Sequence, residues 1–95
     1  MPILSFADNS TEKFFKTGKA GRVGWSNIAS IAKRKLDMVQ YAAKLTDLKA
    51  PPNNKLEALR GDLAGYHSIR INNQWRVVFK WTNAGATEVR IMDYH

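Results

Sequence analysis

Four cationic side chains fall on neighbouring strands of a predicted sheet within residues 55–81 of this 95-residue chain. They are Arg60, Arg70, Arg76 and Lys80. Guanidinium groups offer rigid pairs of N–H donors that match the oxygens of a phosphate. An open sheet face must be polar in any case, so four cations alone do not define a site. These cations lack interleaved carboxylates, however, and this favours a phosphate-binding surface over a merely solvated one.

Amide and aromatic side chains accompany the cations. Asn73 and Gln74 add hydrogen-bond donors and acceptors, and Tyr66 offers a ring on which a base can stack. Such a combination suits single-stranded nucleic acid. We therefore predict that RNA is contacted by Tyr66, Arg70, Asn73, Gln74 and Lys80.

Groups able to move a proton are fewer. Glu57 lies three residues before Arg60 and could act as a general base or as the ion-pair partner of an arginine. The chain ends in Asp93, Tyr94 and His95, which supply a carboxylate, a phenol and an imidazole. Terminal residues are usually frayed, but these three follow a predicted strand that ends beside the cations.

RNA cleavage without a metal ion fits this inventory best. The 2′-hydroxyl of RNA is itself the nucleophile, so the protein must supply a base, an acid and cations around the reacting phosphate. The chain has no cysteine and its two histidines lie far apart, so the sequence contains no metal-ligand spacing. We predict no metal and no cofactor. His67 alternates with Ile69 and Ile71, which favours the apolar face for this histidine rather than catalysis.

Composition predicts one domain over residues 1–95. An apolar fraction of 44% is enough for a core, and 24% charged residues make an ordinary surface. Fifteen Lys and Arg against eight Asp and Glu leave a net charge of +7, which attracts polyanions but also lies in the range that serves solubility alone. The chain shows neither a membrane-span length of apolar residues nor a signal-peptide pattern, so we expect a cytoplasmic protein without membrane contact.

Periodicity predicts an α+β fold in the order β-α-α-β-β-β-β. A short strand over residues 3–7 precedes a helix from Thr11 to Thr17, which Gly18 would end in a left-handed conformation. After a flexible glycine-rich connection, Ser26 is predicted to cap a long helix from Asn27 to Lys44.

The apolar positions of the long helix recur at three- and four-residue intervals and define one buried stripe. They are Ile28, Ile31, Ala32, Leu36, Val39 and Ala43. The basic triplet Lys33, Arg34 and Lys35 falls on the opposite side, where it is predicted to be solvated rather than to contact nucleic acid.

The second half of the chain alternates apolar and polar residues and predicts four antiparallel strands joined by tight turns. They cover residues 55–60, 66–71, 75–81 and 87–92. The two helices would cover the apolar face of this sheet and leave its polar face open.

Several motifs in this half resemble those of the HigB toxins, a group within the RelE/ParE superfamily of type II toxin–antitoxin systems. They are Leu59-Arg60-Gly61-Asp62, Gly65-Tyr66-His67-Ser68-Ile69, Trp75-Arg76-Val77-Val78-Phe79 and the terminal Asp93-Tyr94-His95. The similarity spans almost the whole chain and is greatest to the GraT-like subgroup. It implies a RelE/ParE-like fold, with two N-terminal helices packed on one face of the sheet.

The resemblance also implies an activity and partners. HigB toxins are ribosome-dependent endonucleases that cut mRNA at codons and inhibit growth, and a helix-turn-helix antitoxin of the HigA kind keeps them inactive. This chain would then bind the ribosome, mRNA and such an antitoxin, and would reach operator DNA only through the antitoxin.

Site residues follow from the same resemblance. Arg76 corresponds to an arginine thought to stabilise the transition state, and Arg60 replaces a lysine. Glu57 stands where some members have histidine and Gln74 where they have asparagine, so the identity of the base stays open. The implied catalytic residues are Glu57, Arg60, Arg76, Asp93, Tyr94 and His95.

Two other functions remain open from the sequence. A ParE-like toxin of the same fold would inhibit DNA gyrase without cleaving RNA, and a gyrase supercoiling assay tests that possibility. A basic adaptor would bind ribosomal RNA during ribosome assembly, and shifted ribosome profiles with intact mRNA would indicate it.

Overall fold

Local signals start and end the first helix. The computed structural model, which describes residues 2–93, places α1 at Asn9–Thr17. The carboxylate of Asp8 accepts a 2.7 Å hydrogen bond from the Thr11 backbone N–H, which satisfies one of the free donors of the first turn. Because Asp8 is the cap, the helix begins two residues before its predicted start. It ends as predicted at Gly18, where φ is 77° and the N–H donates to the Phe14 carbonyl.

The second helix is shorter than predicted. Ser26–Ile28 forms a 3₁₀ turn instead of a capped helix start, and α2 spans Ala29–Tyr41 without a side-chain cap. The helix ends because Ala42 has an extended backbone with φ −65° and ψ 130°. The predicted apolar stripe is therefore wrong at Ala43, which lies beyond the helix and is exposed, and Ala42 is buried in its place.

Four antiparallel strands follow, each beside its neighbour in the sequence. They are β1 (Glu57–Ala58), β2 (His67–Arg70), β3 (Trp75–Thr82) and β4 (Gly85–Asp93). Short 3₁₀ turns occupy Leu45–Lys49, Pro52–Asn54 and Gly61–Leu63. The predicted α+β architecture is confirmed, but β1 is much shorter than the predicted 55–60. Lys55 has a left-handed backbone with φ 47°, so the extended conformation starts only after it.

The predicted first strand is replaced by two isolated parallel bridges to β4, at Ile3–Ala86 and Phe6–Val89. The close approach of this segment depends on Gly85, which begins β4 at φ 147°. A Cβ atom built there would lie 2.2 Å from the Pro2 carbonyl oxygen, so any side chain would push the segment away.

An extra residue interrupts the pairing of β4 with β3 between Val78 and Lys80. Glu88 lies in this bulge with φ 55°, and its N–H donates to the Ser5 hydroxyl at 3.0 Å. A bulge changes which side chains share a face. Buried Val89 and Ile91 alternate with exposed Glu88 and Arg90 as predicted, but the alternation does not extend to Gly85 and Ala86, which are both buried.

The core lies between the helices and one face of the sheet. It includes Phe14, Trp25, Leu36, Val39, Ile69, Val77, Phe79, Val89 and Ile91. The other face is open only in part, because Ser68 and Val78 are fully buried and Arg76 is only 8% exposed, whereas Glu57 and Arg90 are exposed. Within residues 2–93, none of the helices combines the length and the apolar character needed to cross a membrane.

Candidate active site

Strand pairing brings several polar side chains into two neighbouring rows on the face of the sheet away from the core. The first row runs from Glu57 through Ser68 and Val78 to Arg90, one residue from each strand. The second row contains Arg70, Arg76 and Met92. Residues directly opposite on antiparallel strands have Cβ atoms roughly 5 Å apart. Glu57, Ser68, Arg70 and Arg76 are therefore neighbours, although Glu57 and Arg76 lie far apart in the sequence.

Arg76 is the most constrained member of this group. Its Nε donates to the Ser68 hydroxyl at 2.7 Å, and its Nη2 donates to the Lys55 carbonyl at 2.6 Å. Two short bonds to separate acceptors fix both the position and the plane of the guanidinium. Ser68 is fully buried, and no role was predicted for it from the sequence. The available signal was a small hydroxyl residue two positions before Arg70 on the same strand.

Arg70 is paired directly with Arg76 across β2 and β3. Like charges directly opposite on neighbouring strands repel each other. The Arg70 guanidinium donates to the Asn73 side-chain oxygen in the turn that follows β2. Guanidinium donors match phosphate oxygens, and the two arginines bring such donors to neighbouring strands at this end of the sheet.

The predicted polar residues of the β2–β3 turn meet the end of β4. The side-chain nitrogen of Gln74 donates to the Asp93 carboxylate at 2.8 Å, and both residues are exposed. Asp93 is paired with Trp75, whereas Met92 lies opposite Arg76. The carboxylate of Asp93 is thus at the end of the sheet and not in the Arg76 row. We call Arg70, Asn73, Gln74 and Asp93 the sheet-end cluster.

Lys80 and Tyr66 form a contact of their own. The Lys80 ammonium lies 5.0 Å from the centre of the Tyr66 ring, within range of a cation–π interaction. The structure therefore brings these two predicted RNA-binding residues together.

The remaining predicted residues are less closely placed. Arg60 is exposed and lies beyond the end of β1, next to the turn at Gly61–Leu63, so the strand register does not include it in the two rows. Tyr94 and His95 are outside the described residues. A cation not predicted for the site, Arg90, ends the first row, but its Nε lies 3.9 Å from an Asp8 carboxylate oxygen.

Comparison with known sequences identifies the group to which the chain is related. A family model for the RelE-like toxin of type II toxin-antitoxin system HigB matches residues 4–95. The chain belongs to the HigB-like toxin family. Toxin HigB-1 of Vibrio cholerae is 39% identical over 83 residues, 87% of each chain. Endoribonuclease HigB of Proteus vulgaris is 30% identical over 93 residues, covering 98% of this chain and 99% of the relative.

Solved structures of two related toxins share the fold. A YoeB/ParE toxin from Agrobacterium tumefaciens superposes with a TM-score of 0.57 at 22% identity, and each chain is covered completely. A YoeB dimer from Staphylococcus aureus gives a TM-score of 0.57 at 18% identity, covering 100% of this chain and 97% of that one. The HigB-like assignment predicted from the motifs is confirmed by the family model. As a type II toxin, the protein has an antitoxin as its partner.

One basic residue of this HigB-like toxin, Lys35, lies in a different environment from the one predicted. Lys35 was predicted on a solvated face but is only 7% exposed. Its Nζ donates to the side-chain oxygen of Asn54 at 2.6 Å. Burial lowers the pKa of Lys35, and the charges of Arg34 and Arg70 lower it further. Lys35 therefore approaches the candidate site from α2 rather than pointing into solvent.

Proposed function

We propose that this HigB-like toxin is an endoribonuclease that cuts mRNA engaged on the ribosome and thereby inhibits translation and growth. The fixed guanidinium of Arg76 is the observation that carries the proposal. A buried cation oriented by Ser68 and by the Lys55 carbonyl is suited to a phosphate whose charge increases during reaction. The name of the Proteus vulgaris relative, Endoribonuclease HigB, supports the same activity.

In the proposed reaction, the phosphorus atom of RNA forms a bond to the adjacent 2′-oxygen and loses its bond to the 5′-oxygen of the next nucleotide. The 2′-oxygen attacks the adjacent phosphorus, its proton passes to a base, and the 5′-oxygen leaves with a proton from an acid. The products are a 2′,3′-cyclic phosphate and a new 5′-hydroxyl end. We propose that Arg76 stabilises the pentavalent phosphate and that Arg70 contacts the RNA strand beside it.

Other residues have proposed supporting roles. Glu57, three residues from Arg60 and opposite Ser68, is the carboxylate on the row that contains the Arg76 acceptor. We assign proton transfer to Glu57 and to the terminal residues Asp93, Tyr94 and His95. Tyr66, Asn73, Gln74 and Lys80 would contact the RNA strand, and Arg60 would bind a phosphate at the edge of the site.

The proposed partners follow the family pattern. The antitoxin would be a helix-turn-helix protein of the HigA kind, and it would bring the complex to operator DNA. The toxin alone would act in the cytoplasm on ribosomes that carry mRNA, and no cofactor takes part in the proposed reaction.

Mapping mRNA ends in a purified translation system tests the proposal. Because the reaction predicts 5′-hydroxyl ends, the RNA is phosphorylated before adaptor ligation and compared with an untreated sample. We expect new ends in frame with codons when the toxin, ribosomes and mRNA are combined, and we expect Arg76→Ala to reduce them by about 100-fold or more. Arg22→Ala, an exposed arginine outside the two rows, is the matched control and should cut at nearly the native rate.

Other outcomes would redirect the assignment. If the message stays intact while ribosome profiles shift, the protein is an RNA-binding adaptor. If the message stays intact and gyrase supercoiling stops, it is a ParE-like inhibitor. If free mRNA is cut at the same rate without ribosomes, the protein is an endoribonuclease whose activity does not depend on the ribosome.

A further inference from the structure

Hydrogen bonds lead from Arg76 into the loop that precedes β1. The carbonyl that accepts from Arg76 belongs to Lys55, whose left-handed backbone (φ 47°, ψ 54°) turns the chain towards β1. A lysine adopts this conformation uncommonly and at a cost in free energy, so contacts of the surrounding loop are needed to hold it. The position of the acceptor therefore depends on the contacts that hold the loop.

Asn54 provides those contacts. It is 0% exposed, and its Nδ2 donates to the Ala50 carbonyl at 3.1 Å and to the Leu48 carbonyl at 3.3 Å. Its Oδ1 accepts the 2.6 Å bond from Lys35. One buried amide thus joins the loop to itself and to helix α2, directly before the residue that holds Arg76.

Lys35 is an unusual choice for this position. Among residues 2–93 its hydrogen-bond partner is the neutral side chain of Asn54, and a buried ammonium without an opposite charge is unfavourable. An apolar side chain of the same length would avoid burying a charge but would remove the donor to the buried Asn54 oxygen. The hydrogen bond that the Lys35 ammonium donates to Asn54 explains why a lysine is present at this position.

We propose that Lys35 is a positioning residue for RNA cleavage, which acts through Asn54 and the Lys55 carbonyl to orient the Arg76 guanidinium. This inference rests on the proposed nuclease function. Stabilising donors must lie about 3 Å from the oxygens of the transition state, and a displacement of about 1 Å can reduce a rate roughly 100-fold. Loss of the Lys35 bond would let the loop move and Arg76 move with it.

Cleavage kinetics on programmed ribosomes test the proposal. Lys35→Met removes the donor but retains the length of the side chain, and Lys33→Met is the matched control on the same helix, where the lysine is paired with Asp37. We expect Lys35→Met to lower the maximal single-turnover rate about tenfold while the half-saturating toxin concentration stays unchanged. Lys33→Met should retain the native rate. Lys35→Met at the native maximal rate would overturn the proposal.

A double variant separates positioning from loss of folded protein. In the Arg76→Ala background, Lys35→Met should change the residual rate by less than about twofold, because its effect passes through Arg76. General destabilisation would lower the rate in both backgrounds. Lys35→Arg retains N–H donors and should recover most of the rate. An undiminished Lys35→Met effect without Arg76, or a folded Lys35→Arg variant as slow as Lys35→Met, contradicts the proposal.

A spectroscopic readout separates this inference from the nuclease proposal. The Nε–H of Arg76, which donates to Ser68, gives a distinct side-chain NMR signal. That signal should shift in Lys35→Met and not in Lys33→Met. If native protein fails to cut RNA, the nuclease proposal fails while the NMR comparison still tests the connection. If native protein cuts and the signal is unchanged in Lys35→Met, the positioning role alone is wrong.

Discussion

Arg76 and the sheet-end cluster lie next to each other on one sheet, yet their surroundings differ. Arg76 is 8% exposed and donates to a buried hydroxyl and a backbone carbonyl. In the sheet-end cluster, Asn73, Gln74 and Asp93 are exposed, and the bonds join side chains of the surface. We infer from this difference that Arg76 would hold the reacting phosphate in a fixed geometry, whereas Arg70, Asn73 and Gln74 would make adaptable contacts along the RNA strand.

The largest expected effect concerns the shape of the Arg76 side chain. Arg76→Lys retains the charge but has no planar pair of donors that can bond to Ser68 and Lys55 together. We expect a loss of cleavage rate within about tenfold of that of Arg76→Ala, measured as single-turnover kinetics on programmed ribosomes. Arg22→Lys serves as the control. An Arg76→Lys variant with native activity would show that charge alone is sufficient and that cleavage does not require the fixed geometry of the Arg76 guanidinium.

Removing the acceptor should weaken both folding and activity. Ser68→Ala leaves the buried Nε of Arg76 without its hydroxyl partner, which costs about 1–3 kcal/mol in the free energy of unfolding. A domain of this size should then lose roughly 4–8 °C of Tm per kcal/mol, and the cleavage rate should fall. Calorimetry of Ser68→Ala against the exposed control Ser30→Ala measures the difference. Equal Tm values would show that the hydrogen bond between Arg76 and the Ser68 hydroxyl does not stabilise the fold.

Arg70 and Lys80, which are more exposed than Arg76, should alter binding rather than the chemical step. Arg70→Ala or Lys80→Ala should reduce the slope of log affinity against log salt by about 0.7 for each lost phosphate contact, with the maximal rate largely retained. Binding to ribosomes that carry a 2′-O-methylated message isolates affinity from cleavage. Lys16→Ala, on the surface of α1 and paired with Glu12, should leave the slope unchanged. A large decrease of the maximal rate in Lys80→Ala would show that Lys80 acts in the chemical step, as proposed for Arg76.

The smallest expected effect is the pH dependence of stability at Lys35. Burial, together with Arg34 and Arg70, lowers its folded-state pKa below the usual 10.5. Between the two pKa values the unfolded chain binds more protons, so the free energy of unfolding rises with pH in that window. Urea unfolding of the native protein and of Lys35→Met should diverge in favour of the native protein as pH rises from neutrality towards 10.5. A difference that is constant or shrinks with pH would contradict the lowered pKa.

Much of the fold was predictable because its signals are local. Alternation along β3 places Val77 and Phe79 in the core, and Gly18 ends α1, since both depend only on residues close in sequence. The end of α2 was not predictable from periodicity. Ala43 continues the apolar interval after the backbone has become extended at Ala42, where Asp47 accepts hydrogen bonds from the N–H groups of Ala43 and Lys44 instead.

Some features of the candidate site were likewise predictable from the sequence, and others were not. The types of its cations, the strands that carry them and the resemblance to HigB toxins could all be found in the sequence. The acceptors of Arg76 could not, because Ser68 is eight residues away and Lys55 is 21 residues away. Such pairs are created by strand register and by a loop conformation, neither of which has a local signature.

The sequence by itself determined the α+β class, the family and the basic residues from which a phosphate site can be built. The tertiary structure decided which of those residues are fixed. Three basic residues in a row on a helix look equivalent in sequence, but the loop around Asn54 buries Lys35 and leaves Arg34 exposed. The physical reason is that burial depends on distant segments that pack against a side chain, and a helical repeat contains no information about them.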